Sequence, residues 1–346
     1  MKDKDYYLND SFLEDLESRK WSIQRINNWY EKQPWFIGCN YIPSTAINQL
    51  EMFQEETFDP NRIDEELGWA ESIGFNALRV FLHNLLWEDD SERLKQRIDS
   101  LLNICADHKM KVLFVLFDDM WNQKPKLGIQ PDPIPGIHNS GWVASPGKRR
   151  LKRFEEFHVF EEYVSSIIDS FAHDSRIIGW DIYNEPGNMG IGKKSLPLVV
   201  AAISWAREVN PSQPITVGAF YDPLIIEVNK IALTQSDILS FHHYKNANET
   251  KELIKELQEL KRPIFCTEYL SRNSGNLFET HLPLFKKHKI AAFNWGLVSG
   301  KTQTIYSWLS KKGDPEPEIW FHDIFREDGT PFSQKEVDFI KAIVKD

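Results

Sequence analysis

The amino-acid sequence predicts an α/β protein: a single-domain (β/α)8 TIM barrel with long loops after its third and eighth strands. Short apolar segments alternate with helical periodicity eight times, which favours parallel strands joined by helical crossovers. The strand segments are apolar on both faces, as a parallel sheet that is buried on both sides requires. The 346 residues suffice for such a barrel, whose usual length is about 250 residues plus insertions.

The predicted strands are eight apolar segments, at residues 35–42, 75–83, 111–118, 177–185, 214–220, 237–244, 263–269 and 290–298. In the first crossover we expect Asp59 to cap a helix that has Pro60 at its first position. Apolar residues three or four positions apart predict helices in segments that begin near residues 60, 94, 157, 196, 223, 249, 276 and 333.

An amphipathic segment at roughly residues 10–32 precedes the first strand. We expect residues 1–34 to form an N-terminal helical extension packed on the barrel, and residues 35–346 to form the catalytic barrel. An open doubly wound sheet is the alternative architecture. It usually carries a glycine-rich phosphate loop after its first strand, and the segment GCNYIPST is not such a loop.

Composition narrows the classes of partner. The net charge of −10 disfavours nucleic acid and anionic membranes, since both select basic patches, and no apolar run reaches the length of about 18 residues that spans a bilayer. Aromatic residues make up 13% and include 12 Trp. Tryptophan faces bind the apolar faces of sugars, so we expect a carbohydrate partner.

The cysteines and the N-terminus give information on the cellular compartment of the protein. Cys39, Cys105 and Cys266 are odd in number and widely spaced, which predicts buried thiols and neither a disulfide framework nor a zinc site. The first ten residues lack the apolar core of a signal peptide. We therefore expect a cytoplasmic protein, or a secreted or periplasmic one whose signal peptide has been removed.

Two connections are unusually long, at residues 119–153 and 299–332. Long loops in compact domains are usually lids or binding loops, and both follow strands, so both should lie at the catalytic face. The first is rich in proline, which predicts a semi-rigid wall beside the cleft. Such a wall favours short oligosaccharides or chain ends as substrates.

Polar side chains at the carboxyl ends of barrel strands point at the active site. Glu185 ends the fourth strand and Glu268 the seventh, so the two face each other across the barrel mouth. Two carboxyl groups about 5–5.5 Å apart are what retaining glycoside hydrolysis needs. We expect this pair to be catalytic.

The remaining strand ends supply candidates for substrate contacts. Arg79 is placed to keep the strand-seven carboxylate charged, and the amide of Asn184 to bind the sugar 2-OH. His242 and Tyr244 share one face of their strand and should orient the nucleophile. Trp295 should form the floor beneath the sugar ring.

Five sequence pieces follow one another across nearly the whole chain: NALRV, YNEP, HHY, CTEY and FNWG. In this order they make the chain resemble clan A glycoside hydrolases, especially glycoside hydrolase family 5, the cellulase and mannanase family. The resemblance implies that Glu185 is the acid/base and Glu268 the nucleophile. It also implies that Arg79, Asn184, His242, Tyr244 and Trp295 bind or support the substrate, with no cofactor and no metal ion.

The end of strand three departs from the family pattern. Many members carry a histidine there, whereas this chain reads FDDMW. Asp118, Asp119 and Trp121 loosely resemble the Asn-Asn-Trp sequence of mannanase-like members. The departure leaves the sugar open, with glucan, mannan, xylan or a short glycan disaccharide as candidates.

For other side chains in the long loops, two interpretations are open: contact with the substrate or a structural role. Of the four tryptophans Trp121, Trp142, Trp308 and Trp320, we expect two at the rim of the cleft, and we assign substrate contacts to Trp121 and Trp142. Two further residues, Lys301 and Gln303, either reach a sugar hydroxyl or build their loop.

Two other functions stay open at this point. A non-catalytic carbohydrate-binding barrel would be expected to have lost one of the two glutamates. A metal-dependent barrel hydrolase would use Asp118, Asp119 and His138 with His242 or His243. These residues lack the close ligand spacing of typical metal sites, and His243 is expected to be a packing residue.

Overall fold

A computed structural model describes residues 4–220 and 225–345 of the protein. Eight parallel strands close into a barrel in chain order, and β1 pairs with β8. The predicted (β/α)8 barrel is confirmed. The strands are β1 (Ile37–Asn40), β2 (Ala77–Phe81), β3 (Lys111–Asp118), β4 (Ile177–Asn184), β5 (Ile215–Phe220), β6 (Leu239–His242), β7 (Ile264–Tyr269) and β8 (Ala291–Trp295).

The α-helices pack around the barrel, except that α3 covers one of its ends. They are α1 (Lys4–Tyr7), α2 (Asp10–Ser18), α3 (Ile23–Glu31), α4 (Gln49–Phe53), α5 (Pro60–Ser72), α6 (Asn84–Asp107), α7 (Phe157–Ser170), α8 (Leu196–Val209), α9 (Ile226–Gln235), α10 (Ala247–Gln258), α11 (Phe278–Lys287) and α12 (Gln334–Lys345). In the described parts of the chain, no helix combines the length and the apolar character that crossing a membrane requires.

Helix boundaries follow the sequence signals where capping residues are present. Asp59 accepts a hydrogen bond from the backbone N–H of Arg62, and Pro60 begins α5, as predicted. The helix predicted from Leu94 onward is present in α6, but α6 begins earlier, at Asn84, and contains a non-helical residue at Asp90. The part that precedes Asp90 was not predicted, because it is too short to show a helical periodicity.

Two other segments differ from the sequence prediction. The helix α4 was not predicted, because its five residues are too few to show a periodicity. The amphipathic segment near residues 10–32 is two helices, since α2 ends at Ser18 and Ser22 caps the start of α3. In the segment predicted to be helical from residue 223, residues 223 and 224 lie outside the described chain.

Strand register brings polar side chains to one end of the barrel. Asn40 at the end of β1 pairs with Arg79 on one side and with Trp295 on the other. Further round the barrel, His242 pairs with Glu268. Because parallel neighbours end at the same edge, residues far apart in sequence stand side by side there.

The opposite end of the barrel is closed by the helix α3. Ile26 and Tyr30 pack against apolar side chains near the starts of the strands, among them Ala77, Leu113 and Phe265. The hydroxyl of Tyr30 also donates to the carbonyl oxygen of Lys289, at 2.6 Å. The division of the chain into an extension and a barrel at residue 34 stays a prediction.

Replacement of Ile26 by alanine tests how much α3 stabilises the barrel. Ile26 is completely buried, so Ile26→Ala should lower the free energy of unfolding by about 2–5 kcal/mol through lost burial and the cavity left behind. The matched control is Ile23→Ala on the same helix, where the side chain is 45% exposed and the change should stay within about 0.5 kcal/mol. Denaturant unfolding followed by tryptophan fluorescence measures both, and equal losses would contradict the packing role.

Candidate active site

A buried arginine occupies the centre of the barrel mouth. All five N–H groups of Arg79 are donated: two to Asp181 Oδ2 at 2.9 and 2.7 Å, and one to Asn184 Oδ1 at 2.7 Å. The other two go to Asn40 Oδ1 at 2.8 Å and to Glu268 Oε1 at 2.9 Å. Arg79 therefore has no donor left for a substrate, and it acts by holding other groups in place.

Asp181 was not identified from the sequence, although it is the principal partner of this arginine. Its second oxygen, Oδ1, accepts the backbone N–H of Gly218 at 2.9 Å. Gly218 also leaves room for the guanidinium, because a Cβ atom there would lie 2.9 Å from Arg79 Nη2. The available signal was one acidic residue inside a strand that is otherwise apolar and wholly buried.

Glu268, on β7, is held at both carboxylate oxygens. Oε1 accepts from Arg79, and Oε2 accepts from the hydroxyl of Tyr244 at 2.7 Å. Burial raises the pKa of Glu268 to about 6, with a smaller contribution in the same direction from Glu185, while His242, Arg79 and Tyr244 oppose the rise.

Glu185 begins a sharp turn directly after β4. Its φ of 43° lies in the left-handed region, and Gly187, with a φ of 91°, continues the turn, which is why the strand stops here. Oε1 lies 2.6 Å from His242 Nδ1, and Oε2 accepts from the amide of Asn188 at 2.6 Å. Burial raises the pKa of Glu185 to about 7, against the lowering effect of Asn188 and Arg79.

The two glutamates lie close together, with His242 between them. One oxygen of each carboxylate lies within 4.8 Å of the other. His242 Nδ1 is 3.4 Å from Glu268 Oε1, so its shorter contact is to Glu185 and not to the carboxylate that the sequence assigned to it. The reason is that the backbone N–H of Glu185 donates to Gly218 on β5, beside the strand of His242.

Asp118 fixes the amide of Asn184. Its Oδ1 accepts from Asn184 Nδ2 at 2.9 Å, and its Oδ2 accepts from the indole N–H of Trp142 at 2.7 Å. With Oδ1 of Asn184 engaged by Arg79, the amide has one defined orientation. Among the described residues, the second hydrogen of Nδ2 has no acceptor, so it is available to a ligand.

A cavity of about 270 Å³, here called the inner cavity, opens above these residues. Glu185, Glu268, Asn184, Tyr244, Trp295, Trp121 and Trp142 all contribute to its lining, whereas Arg79 and His242 lie behind it. Trp121 and Trp295 are partly exposed. Trp142 is 2% exposed, so its ring forms part of the wall.

The other two loop tryptophans differ in position. Trp308 is 47% exposed and lines the inner cavity. Trp320 is buried and stacks on Phe332 away from it.

A second depression, here called the outer cavity, has a volume of about 570 Å³ and lies over the end of β6. It shares Glu185, Phe220, Tyr244 and Trp308 with the inner cavity, but Glu268 and Trp295 do not line it. Glu185 therefore faces both cavities, while Glu268 faces only the inner one.

The two long loops are joined into one structure, here called the loop wall (residues 119–153 and 299–325). The Gln303 side chain bonds to the backbone of Gly136 and Ile134, at 3.0 and 2.7 Å. Backbone N–H of Asn139 donates to Thr302 at 2.8 Å. Gln303 thus builds the loop, and so does Lys301, whose ammonium lies 2.5 Å from Glu51.

The sequence did not single out several residues of the inner cavity: Met120, Asn139, Asn188, Phe220 and His322. Asn188 follows Glu185 by three positions, which is a recognisable turn spacing. Phe220 ends β5, but an apolar residue at a strand end was not distinguished from the core. Met120, Asn139 and His322 carried no usable signal, because they come from irregular loop segments whose course the sequence does not define.

Glu185, His242 and Glu268 are close enough together to share a metal ion. The guanidinium of Arg79, however, already lies 2.9 Å from Glu268 Oε1, and a cation at this point would face a buried positive charge. In the alternative metal set, Asp118 accepts from Trp142 and Asn184. Asp119 accepts from Tyr183 and the backbone of Gly187, at 2.7 Å each, so neither carboxylate is free to bind a metal.

Comparison with known proteins gives a family match. Residues 69–301 match the family described as Cellulase (glycosyl hydrolase family 5). No curated protein matches the chain.

Solved structures resemble the fold at low sequence identity. An exo-β-1,4-mannosidase from Opitutaceae bacterium strain TAV5 has a TM-score of 0.60 at 16% identity, over 90% of this chain and 59% of the mannosidase. An endo-β-1,4-mannanase from Thermotoga petrophila has a TM-score of 0.59 at 15% identity, over 90% of this chain and 76% of its own. An endo-1,4-β-mannanase from Rhizomucor miehei has a TM-score of 0.57 at 14% identity, over 91% and 96%.

Proposed function

Because the chain belongs to glycosyl hydrolase family 5, the cellulase family, we propose that it is a retaining β-glycoside hydrolase acting on a β-linked oligo- or polysaccharide. The observation that carries this proposal is the separation of Glu185 and Glu268, with one oxygen of each within 4.8 Å. Retaining enzymes hold their carboxyl groups about 5–5.5 Å apart, and inverting enzymes about 6.5–9.5 Å.

In the proposed first step, Glu268 attacks the anomeric carbon while the bond from that carbon to the leaving oxygen breaks. Glu185 gives its proton to the leaving oxygen, and a glycosyl ester forms on Glu268. In the second step, Glu185 removes a proton from water, which attacks the same carbon and releases Glu268 as a carboxylate. Two inversions leave the β configuration unchanged.

The surroundings of the two carboxyl groups support these roles. Glu268 accepts from the cationic Arg79 and from Tyr244, contacts that favour the charged form needed in a nucleophile. The pKa of Glu185 is raised further, to about 7, against about 6 for Glu268. Near neutral pH the pair can therefore hold one proton, on Glu185.

The two cavities suggest which part of the substrate binds where. The sugar that is attacked must contact Glu268, so it belongs in the inner cavity above Trp295. The leaving group must contact Glu185 but need not contact Glu268. The outer cavity is lined by Glu185 and not by Glu268, so it fits the leaving group. Since the loop wall borders the inner cavity and the volume is near the lower bound of about 300 Å³ for small-molecule sites, we propose release of short products from chain ends.

The identity of the sugar has to be determined by experiment. Glucan, mannan and xylan substrates all suit a neutral, tryptophan-rich cavity. Because the similar structures include a mannosidase and two mannanases, β-mannosides are the first substrates to examine.

Substitution of each glutamate separates the two roles. Glu268→Gln should lower turnover of every substrate by roughly 10⁴-fold or more, since no nucleophile remains. Glu185→Ala should lower turnover by about 10²–10⁴-fold for poor leaving groups, yet spare the first step for dinitrophenyl glycosides. Glu66→Gln is the matched control, because Glu66 is buried but lies outside both cavities, and it should keep activity.

Azide distinguishes the two residues by the configuration of its product. With Glu185→Ala, azide should attack the glycosyl ester and give the β-glycosyl azide. With Glu268→Gly, it should replace the nucleophile and give the inverted α-azide. Nuclear magnetic resonance of the products reads the configuration, and the reverse pattern would show that the roles are exchanged.

The pH profile of kcat/KM should be bell-shaped. Activity should fall below about pH 6 as Glu268 becomes protonated, and above about pH 7 as Glu185 loses its proton. Asn188→Ala removes a contact that lowers the pKa of Glu185, so the alkaline limb should move to higher pH. Tyr244→Phe removes a contact that lowers the pKa of Glu268, so the acid limb should move to higher pH. Movement of the opposite limb in either variant would contradict the assignment.

The product profile tests action at chain ends. A soluble β-mannan or β-glucan should release one small sugar steadily while its viscosity falls slowly, because the loop wall borders the inner cavity that holds the attacked sugar. The control is an oligosaccharide whose non-reducing end carries a benzylidene cap, which should resist hydrolysis. A rapid loss of viscosity with a ladder of mid-length products would rule out this mode of action.

A further inference from the structure

The loop wall carries two histidines, His138 and His322, that the catalytic steps do not use. We propose that the Nε2 atoms of both rings accept hydrogen bonds from hydroxyl groups of the sugar in the inner cavity, so that they select a neutral sugar that offers two donors there. This inference rests on the proposed function for the identity of the ligand as a sugar. It assigns the histidines a role in specificity.

His138 has its proton position fixed by the backbone. Its Nδ1 lies 2.8 Å from the carbonyl oxygen of Tyr306. A carbonyl oxygen only accepts, so Nδ1 must carry a hydrogen. Burial lowers the pKa of His138 to about 4, so near neutral pH the ring carries one proton and Nε2 presents a lone pair.

His322 repeats this arrangement from the other half of the loop wall. Its Nδ1 donates to the carbonyl oxygen of Leu270, and burial holds its pKa well below the usual range, with a further lowering from His138. The two rings are 5.3 Å apart between centroids. Both line the inner cavity, and both present Nε2 as an acceptor.

Neither Nε2 atom is satisfied by the protein. Within residues 4–220 and 225–345, neither Nε2 atom has a hydrogen-bond partner. Neither is among the unpaired polar atoms that are fully buried, so each keeps some exposed surface. The two side chains are only 4% and 1% exposed, and because both line the inner cavity, a polar group bound there can reach them. Leaving such acceptors unpaired against a bound ligand would weaken its binding.

Asn139 adds a third unsatisfied polar group at the same place. It lines the inner cavity at 2% exposure, and its Oδ1 is buried without a partner. This oxygen is sealed, however, so the two Nε2 atoms are the acceptors of this group that a ligand in the inner cavity can reach.

The chemistry of these groups limits the ligand. A lone pair on a neutral imidazole attracts a hydroxyl hydrogen and repels a carboxylate or sulfate oxygen. The cavity should therefore reject uronic acids and sulfated sugars, and it should discriminate against a neutral sugar that lacks either donor.

The proton positions are tested first, without reference to activity. The protein labelled with ¹⁵N-histidine contains ten histidines, and the resonances of His138 and His322 are assigned from His138→Phe and His322→Phe. At pH 7 both rings should show protonated Nδ1 and bare Nε2. A proton on Nε2 of either ring, or a doubly protonated ring, would overturn the proposal.

Kinetics then test the hydroxyl contacts. The probes are 4-nitrophenyl β-D-mannopyranoside and β-D-glucopyranoside with their 3-, 4- and 6-deoxy forms, using the parent that is hydrolysed faster. In the wild-type protein, loss of a contacted hydroxyl should lower kcat/KM by roughly 10-fold or more. In the matching His→Phe variant, the same deoxygenation should change kcat/KM by less than about 2-fold, since the acceptor is already absent.

His158→Phe is the matched control. Its Nδ1 also lies 2.8 Å from a carbonyl oxygen, that of Glu155, but the residue is exposed on α7 and remote from both cavities. This variant should leave every deoxygenation effect unchanged. If His138→Phe and His322→Phe behave like His158→Phe, the inference is wrong even though the enzyme is active. Failure of the wild type on both parent glycosides would instead count against the proposed function, and the nitrogen spectra would still decide the state of the rings.

Discussion

A guanidinium sealed inside a barrel must find an acceptor for every N–H group, because a buried donor that is left unpaired is costly. Arg79 meets this requirement with Asn40 on β1, Asp181 and Asn184 on β4, and Glu268 on β7. Asp181 is in turn held by the backbone of β5. The planar fork of the side chain fixes where each acceptor must lie. Four strands are thus tied to one rigid group, and the positions of Asn184 and Glu268 follow from its shape.

This constraint also explains why Glu185 and Glu268, which lie close together, differ in their protonation. Both glutamates are buried, and burial raises the pKa of both. Only Glu268 contacts the guanidinium and the phenol of Tyr244. Glu185 instead contacts a neutral imidazole and an amide, groups that tolerate its protonated form. The asymmetry comes from the neighbours that each strand end meets.

The sequence predicted the parts of the structure that depend on local pattern. Strand alternation defined the barrel, and the strand ends identified Glu185, Glu268, Tyr244 and Asn184 as neighbours because parallel strands end together. It did not predict Asp181, since the partner of a buried charge is set by side-chain geometry across several strands. It also missed His322 and Asn139, because long loops have no periodicity and reach the cavity only through contacts with each other, such as those of Gln303.

Asp118 connects the loop wall to the chemistry, with Trp142 on one oxygen and Asn184 on the other. The same carboxylate therefore serves the part of the protein that shapes the substrate and the part that reacts with it. In protein engineering, loops are often exchanged as independent modules to alter chain-length preference. Here such an exchange would also disturb an amide beside the reacting carbon, so substrate range and catalytic rate are not separately adjustable at this loop.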